Sequence, residues 1–498
     1  MIAVKTRQIE LSDWQQQAEK LAKRSGWRFG HMTVRREADG ERLLQMLLLR
    51  PKSGSGEIVE ARLPAGETEF PSITAGLPAA HFAERSIGDM WGLRASGHPW
   101  WKSLILHESA GAYDPPFVQS GDGPIQRRDS HFLTVGGEGV HQIPVGPIHA
   151  GIIEPGHFRF SCLGEVIANL EISLGYQHRG IESRLADMPW AQTRHVVESA
   201  SLDSAVAYGL GHATAVESLL EIEVPKRATA TRTLALEIER IANHLGDIGA
   251  LASDVGFAVG AATFGRLRGA ALGLGQTLSG SRFQRGFVCP GGVSRKVRDD
   301  NLADLERNLA AMRPMVVEAC ALVLDNPGFE ERLDGVGVLS ASLAAEFGIV
   351  GPAARASGSG YDARMHFEQG LFPAQPLVPS WAQGGDALCR ALIRREEILA
   401  SWNVLEAVLG DLPSGTDCAV LPPNLPAHRS SVAVVEAWRG ELIHWITTGP
   451  SGEISRYALR DPSFQNWTGV AIASRRNLVS DFPIINKSFN LSYSGNDL

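Results

Sequence analysis

Hydrophobic positions recur along this chain at two different periods. A helix is predicted from Ser12 through Leu21, because Trp14, Ala18, Leu21 and Ala22 fall on one face and Ser12 can cap the first turn. Runs at 27–34, 43–49 and 58–63 are strand-like, and charged or Gly/Ser-rich turns such as residues 52–57 separate them. A second helix is predicted near residues 79–91. Residues 1–106 therefore read as a small α/β domain. Residues 107–141 turn rich in Gly, Pro, Asp and Ser, the composition of a linker laid across surfaces.

Residues 142–498 read as a mostly helical domain opened by a short β segment at 158–172, so the fold class is α+β. The clearest helix spans residues 227–252, where Leu234, Ile238, Ile241, Leu245 and Ile248 recur in steps of four and three. Glu237, Arg240, His244 and Asp247 form a second stripe at the same period, and spacing alone assigns it to a solvated face. No repeat of 20–50 residues is present.

Composition narrows the classes. The 498 residues are 44% hydrophobic and 20% charged, and 47 basic against 55 acidic residues give a net charge of −8. That balance excludes a broad nucleic-acid-binding face. The N-terminus has no apolar signal core. The most apolar stretch, residues 255–275, carries Arg266 and Arg268, so no membrane-spanning helix is predicted, and membrane attachment would run through another subunit. Five cysteines, at 162, 289, 320, 389 and 418, form no CxxC and read as small core residues in a reducing compartment; the chain builds no iron–sulfur cluster alone.

Two short strings carry candidate chemistry. In Ile143-Pro-Val-Gly-Pro-Ile-His-Ala-Gly-Ile-Ile-Glu-Pro-Gly-His157, tight Gly/Pro turns frame His149, Glu154 and His157. Gly175-Tyr-Gln-His-Arg-Gly-Ile-Glu182 adds His178 and Arg179. Imidazole and a partly buried carboxyl titrate usefully near neutrality, so these residues are candidates for proton handling in a cleft. Nucleotide-binding glycine loops, zinc-hydrolase strings and nucleophile elbows are absent.

These strings, with Val216–Ala228, Glu239-Arg-Ile-Ala-Asn-His-Leu245, Pro290-Gly-Gly-Val293 and Arg460-Asp-Pro-Ser-Phe464, run in the order seen in one family. They resemble the large subunit of formate-hydrogenlyase-type, hydrogenase-4-like membrane-bound nickel–iron hydrogenases, related to the 49-kDa subunit of respiratory complex I. Phe70-Pro-Ser-Ile-Thr74 and the segment 84–99 resemble the complex I 30-kDa subunit. The resemblance implies a 30-kDa-like domain (1–106), a linker (107–141) and a 49-kDa-like domain (142–498).

The four nickel-ligating thiolates of the hydrogenase branch fall here on Ser201, Ser204, Ser492 and Gly495, so no metal is expected. The quinone-binding Tyr of the complex I branch falls on Leu202, and the Arg beside the partner's cluster falls on Ser199, with Arg285 as a substitute. The resemblance implies a cleft lined by His149, Glu154, His157, His178 and Arg179, and a proton path through Arg240, His244, Asp247 and Asp254. That path places the second stripe of the 227–252 helix inside a bundle, against the solvated face that spacing alone gives it. It also implies a face at Arg282, Arg285, Gly291 and Gly292 for a small iron–sulfur subunit. The cluster would sit in that partner, quinone is a candidate ligand, and no cofactor is bound by this chain itself. Antiporter-like membrane subunits would hold it at the inner face of the cell membrane, and nucleic acid is not a partner. The alternative is a catalytically silent scaffold or regulatory subunit of such a complex.

Overall fold

The first sheet is built from β1 (Ala3–Ile9), β2 (Arg28–Arg36), β3 (Arg42–Arg50) and β4 (Ser55–Leu63), in the order β1-β4-β3-β2. β1 runs parallel to β4, and the other pairs are antiparallel. The computed structural model describes residues 2–37, 40–107, 115–119, 122, 131–151, 153–367 and 382–498. β3 reads Arg-Leu-Leu-Gln-Met-Leu-Leu-Leu-Arg because both its faces are covered. Leu44, Met46 and Leu48 pack toward α1 (Trp14–Ala22) and α2 (His81–Trp91), while Leu47 and Leu49 pack on Val432, Val434, Ile443 and Trp445 of the second domain. Ser12 does not cap α1; a short 3-10 turn at Leu11–Asp13 leads into it.

Short strands β5 (Glu69–Pro71) and β6 (Arg94–Ser96) pair in parallel. Part of the expected linker lies outside the described residues. Of its described residues, 115–119 and Asp122 lie on the first domain, with Phe117 stacked on Trp91 at 4.8 Å and Asp122 accepting from Arg36 at 2.9 Å, while the Leu133 amide donates to Glu171 of the second domain at 2.9 Å. The three-stranded antiparallel sheet β7 (Val140–Val145), β8 (His157–Leu163) and β9 (Val166–Ser173) follows.

The helical region comprises α3 (Ile181–Asp187), α4 (Thr193–Glu198), α5 (Ala205–Leu220), α6 (Lys226–Asp254) and α7 (Ala258–Ser279). The hairpin β10 (Val288–Cys289) and β11 (Gly292–Val293) precedes α8 (Asp299–Leu324), α9 (Pro327–Leu333), α10 (Ala341–Glu346), α11 (Gly351–Ala356) and α12 (Ala387–Gly410). A second antiparallel sheet then appears where helix was expected: β12 (Ser430–Ala437), β13 (Gly440–Thr448) and β14 (Ile454–Arg460). It packs under α5 on one side and the N-terminal sheet on the other. α13 (Pro462–Ala473) and α14 (Phe482–Phe489) complete the order, and residues 491–498 are all buried. Among the described residues no helix is long and apolar enough to cross a membrane.

The second stripe of α6 is buried, as the resemblance implies and against the solvated face that spacing alone assigns. Glu237, Arg240, His244 and Asp247 are each at most 3% exposed. They face a matching stripe on α12, running antiparallel. Arg394 Nε donates to Asp247 at 2.6 Å, His244 Nε2 meets Glu397 at 2.8 Å, and Ser401 donates to Glu237 at 2.6 Å. Charges leave water here because each has a partner in reach.

Buried neutral histidines set an acid response. Burial, reinforced by Arg460 and Arg456, drives His31 down to about 3; burial, reinforced by Arg194, does the same to His212. The unfolded chain takes up these protons as pH falls through about 6.5, whereas the folded chain resists until about pH 3. Each therefore removes about 1.4 kcal/mol of stability per pH unit below about 6.5. Urea unfolding across pH 7.5–5 should show a shallower acid loss, by one proton, in His31→Gln than in the unsubstituted chain. Equal slopes would contradict the assignment.

Candidate functional site

The Gly/Pro-framed string is a loop between β7 and β8 that its own histidines hold closed. His149 Nε2 donates to the Gly156 carbonyl at 2.8 Å, and His157 Nδ1 donates to the Gly146 carbonyl at 3.2 Å. Gly146 adopts φ +81°, and a Cβ there would lie 2.1 Å from the Gly156 oxygen, so no other residue fits. Glu154 turns toward the C-terminal segment, where its Oε2 accepts from the Tyr493 amide at 3.2 Å. Its Oε1 is buried without a hydrogen-bond partner among the described residues, and so is His157 Nε2.

The second string also meets the C-terminal segment. Gly175 and Gln177 amides donate to the two carboxylate oxygens of Asp497 at 2.8 and 2.9 Å. Burial lowers the His178 imidazole below its ordinary range. Arg179 donates to the carbonyls of Ser199 and Ala200 at 2.9 and 3.0 Å, which pins the turn carrying Ser201 and Ser204. Glu182 instead serves the fold, paired with Arg456 at 2.6 Å.

That turn meets the C-terminal segment. Ser201 Oγ lies 3.2 Å from Ser492 Oγ, although 291 positions separate them, and Ser492 Oγ accepts from the Gly495 amide at 2.9 Å. Ser201 and Ser204 both reach Asp203 Oδ1, at 3.3 and 3.4 Å. Asp203 in turn is held by both terminal nitrogens of Arg439, at 2.6 and 2.8 Å. Burial works to raise this carboxyl, but Arg439 outweighs it and holds Asp203 below the usual carboxylate range. The Arg439 guanidinium lies 3.8 Å over the Trp438 ring.

This donor set does not suit a nickel–iron centre. Serine hydroxyls stay protonated near neutral pH and are hard, weak ligands for a soft metal pair that thiolates bridge. At position 495 a Cβ would stand 2.7 Å from the Asp461 carboxyl carbon, so that corner is filled. Asp461 is itself fixed by the Tyr208 hydroxyl at 2.7 Å and the Ser463 amide at 2.6 Å. The cysteines lie elsewhere: Cys162 and Cys320 are buried, Cys289 and Cys389 are partly buried, and Cys418 is exposed.

Beside the serines opens a cleft of about 600 Å³, with Ile153, Leu202, Ala250, Pro483 and Leu491 as apolar walls. Glu154, Asp203, Asp254, Arg439, Lys487, Asn490 and Tyr493 supply its polar groups. Of the histidines expected to line it, His149 and His157 instead tie the loop behind Glu154, and His178 sits against the 495–498 segment. Asp254 reaches the cleft from the exposed end of α6, apart from the buried Arg240–His244–Asp247 row. Arg240 serves packing there, donating to Glu237 and to the carbonyls of Ala437 and Glu436. Asn490 joins cleft and row by donating to Asp247.

The expectation that Gly291 and Gly292 meet a partner gives way to an internal role. Both are buried, and a Cβ on Gly292 would lie 2.1 Å from the Asp417 carbonyl of this same chain. The Gly291 amide donates to Glu217 at 2.7 Å, and Arg232 binds that carboxylate and the Gly292 carbonyl. Arg282 and Arg285 are exposed, the latter donating to the Leu202 carbonyl at 3.2 Å.

Asp203, Arg439, Asp461 and Tyr493 were not singled out from the sequence. Asp203 stood in plain view between the two serines. Arg439 had only a hairpin signal, Trp438-Arg-Gly440 between two apolar runs.

Comparisons with known proteins show the family. Residues 8–119 match the family described as respiratory-chain NADH dehydrogenase, 30 Kd subunit, and residues 254–432 match the 49 Kd subunit of the same chain. Formate hydrogenlyase subunit 5 of Escherichia coli K12 is 31% identical over 449 residues, covering 88% of this chain and 79% of that protein. Hydrogenase-4 component G of the same organism is 31% identical over 449 residues, covering 88% and 78%. An NADH-quinone oxidoreductase subunit from Phocaeicola vulgatus is 29% identical over 398 residues, covering 75% and 76%. The chain belongs to the family of fused 30-kDa/49-kDa-like oxidoreductase subunits that joins complex I to the formate hydrogenlyase and hydrogenase-4 large subunits.

Proposed function

We propose that this subunit works without a nickel–iron centre, and that its cleft serves proton-coupled electron transfer to a quinone. The observation that carries the reading is the corner of Ser201, Ser204, Ser492 and Gly495, closed by hydroxyl hydrogen bonds and by Asp461, next to an open cleft. A quinone takes up two electrons and two protons to become a quinol. The electrons come from an iron–sulfur cluster in a small partner subunit, since this chain's cysteines are dispersed. Glu154, with one oxygen on the Tyr493 amide and the other without a partner among the described residues, delivers one proton at the cleft, and water entering its open mouth supplies the second. The buried row from Asp247 through His244 and Glu397 carries other protons than those the quinone takes up, toward membrane subunits that hold the chain at the inner face of the membrane.

Apolar side chains exposed around the cleft support a covering partner. Ile148 is 82% exposed and Leu202 53%, with Ile153 and Phe283 also out in solvent beside Arg282 and Arg285. Purifying the assembly from its native host tests the reading. A cysteine-rich partner, iron carried by that partner, no nickel in step with this chain, and reduction of added quinone are expected. One nickel per chain would overturn it. An intact, cluster-bearing assembly that passes no electrons to quinone would favour the scaffold role instead.

A further inference from the structure

We infer that the Tyr493 phenol is the hydrogen-bond donor that holds the carbonyl oxygen of a flat, neutral ligand in the cleft. The inference rests on the quinone reading above and names the group that would position such a ligand. Tyr493 lines the cleft, yet its ring is clamped from behind. Trp467 meets it edge-on at 4.9 Å, and Gly156 lies so close that a Cβ there would stand 2.6 Å from the Tyr493 ring. A donor fixed in this way loses little freedom when it binds. Asn486, on the cleft wall, lies within reach of the phenol, and burial pushes the Tyr493 hydroxyl up to about 12, so it keeps its proton at every working pH.

The remaining polar groups fit a neutral ligand better than an ion. Both oxygens of Asp203 are taken by Arg439, whose third nitrogen donates to the Asn490 carbonyl, so neither is free for a ligand charge. Glu154 and Asp254 oppose a single Lys487, which disfavours an anion. Apolar walls at Ile153, Leu202 and Leu491 favour a ring. A ligand with an aromatic-sized apolar body and an acceptor oxygen is what these walls and this donor suit.

Titrating menadione into the full-length chain by calorimetry tests the assignment, with 2-methylnaphthalene as the ring lacking carbonyls. Tyr493→Phe keeps the clamped ring and removes only the donor. It should weaken menadione about tenfold, or about 1.4 kcal/mol, and leave 2-methylnaphthalene unchanged. Equal menadione affinity in both chains would overturn the role of Tyr493 while the cleft reading stands. An equal loss for both ligands would overturn it too, because packing would then be the cause. A failure of the unsubstituted chain to bind menadione would overturn the cleft reading itself.

Discussion

Replacing Arg355 with methionine is expected to remove about 3–5 kcal/mol of stability, the cost of breaking a buried ion pair by deleting one partner. Arg355 is fully buried and ties three elements together. From α11 its Nε donates to Glu397 of α12 at 2.9 Å, and another nitrogen donates to Glu436 of β12 at 2.8 Å and to the Tyr361 carbonyl at 3.1 Å. Methionine fills similar space but leaves two carboxylates without their shared cation. Burial, with Asp362 nearby, already raises Glu436 to about 7 against Arg355's pull. Without the guanidinium it must rise further. A raised carboxyl holds its proton in the folded chain and gives it up in the unfolded one; the unsubstituted chain shares that cost up to about pH 7, so the variant's extra loss should grow as pH climbs from about 7 to 8. Urea unfolding at those two pH values checks both the size and the sign. A change under 1 kcal/mol at pH 8 would mean that the pairing does not hold the sheet to the helices.

The same network shows why part of this fold was legible and part was not. Strands β2, β3 and β4 were readable within three residues because alternation or a doubly buried run marks them. β1 was not, since an edge strand reading Ala-Val-Lys-Thr-Arg-Gln-Ile is mostly exposed and shows no buried face. The hairpin of β12 and β13 had a readable signal in its β-branched and aromatic runs, which helical expectation overrode. For the polar stripe of α6, spacing alone was sound as periodicity and wrong as exposure, and only the resemblance turned it inward. Its partner stripe, Arg394, Glu397 and Ser401, stands about 150 positions away, and spacing within one helix carries no word of it.

The candidate site divides along the same line. Motif order brought out Ser201, Ser204, Ser492 and Glu154, and the fold brings the first three into one hydrogen-bonded corner. The groups that give the corner its character come from elements that share no local pattern with it. Arg439 arrives from a hairpin turn, Asp461 from the cap of α13, and Tyr493 from the C-terminal segment. Histidine, by contrast, was easy to notice and easy to overvalue. His149 and His157 tie backbone carbonyls, which a Gly/Pro-rich loop needs in order to hold its shape.

Placing a cysteine at position 495 is expected to cost about 2–4 kcal/mol, more than serine-to-cysteine exchange at 201, 204 or 492. A new Cβ would sit 2.7 Å from the Asp461 carboxyl carbon and from its Oδ2, inside any ordinary contact. Overfilling a packed interior costs about 1–3 kcal/mol. Asp461 cannot swing away freely, because it accepts from the Ser463 amide at the start of α13 and from the buried Tyr208 hydroxyl. Losing that cap adds about 1 kcal/mol. The serine positions lack such a clash, and each exchange there gives up a hydroxyl hydrogen bond of about 0.5–1.5 kcal/mol. Thermal and urea unfolding of the four single variants gives the ranking, and a double-mutant cycle with Asp461→Ala isolates the steric part. The pair Gly495→Cys and Asp461→Ala should be less unstable than the sum of its members by about 1–2 kcal/mol. Strict additivity would show that Asp461 does not occupy the fourth corner, and the case against a metal centre would then rest on the serine hydroxyls alone.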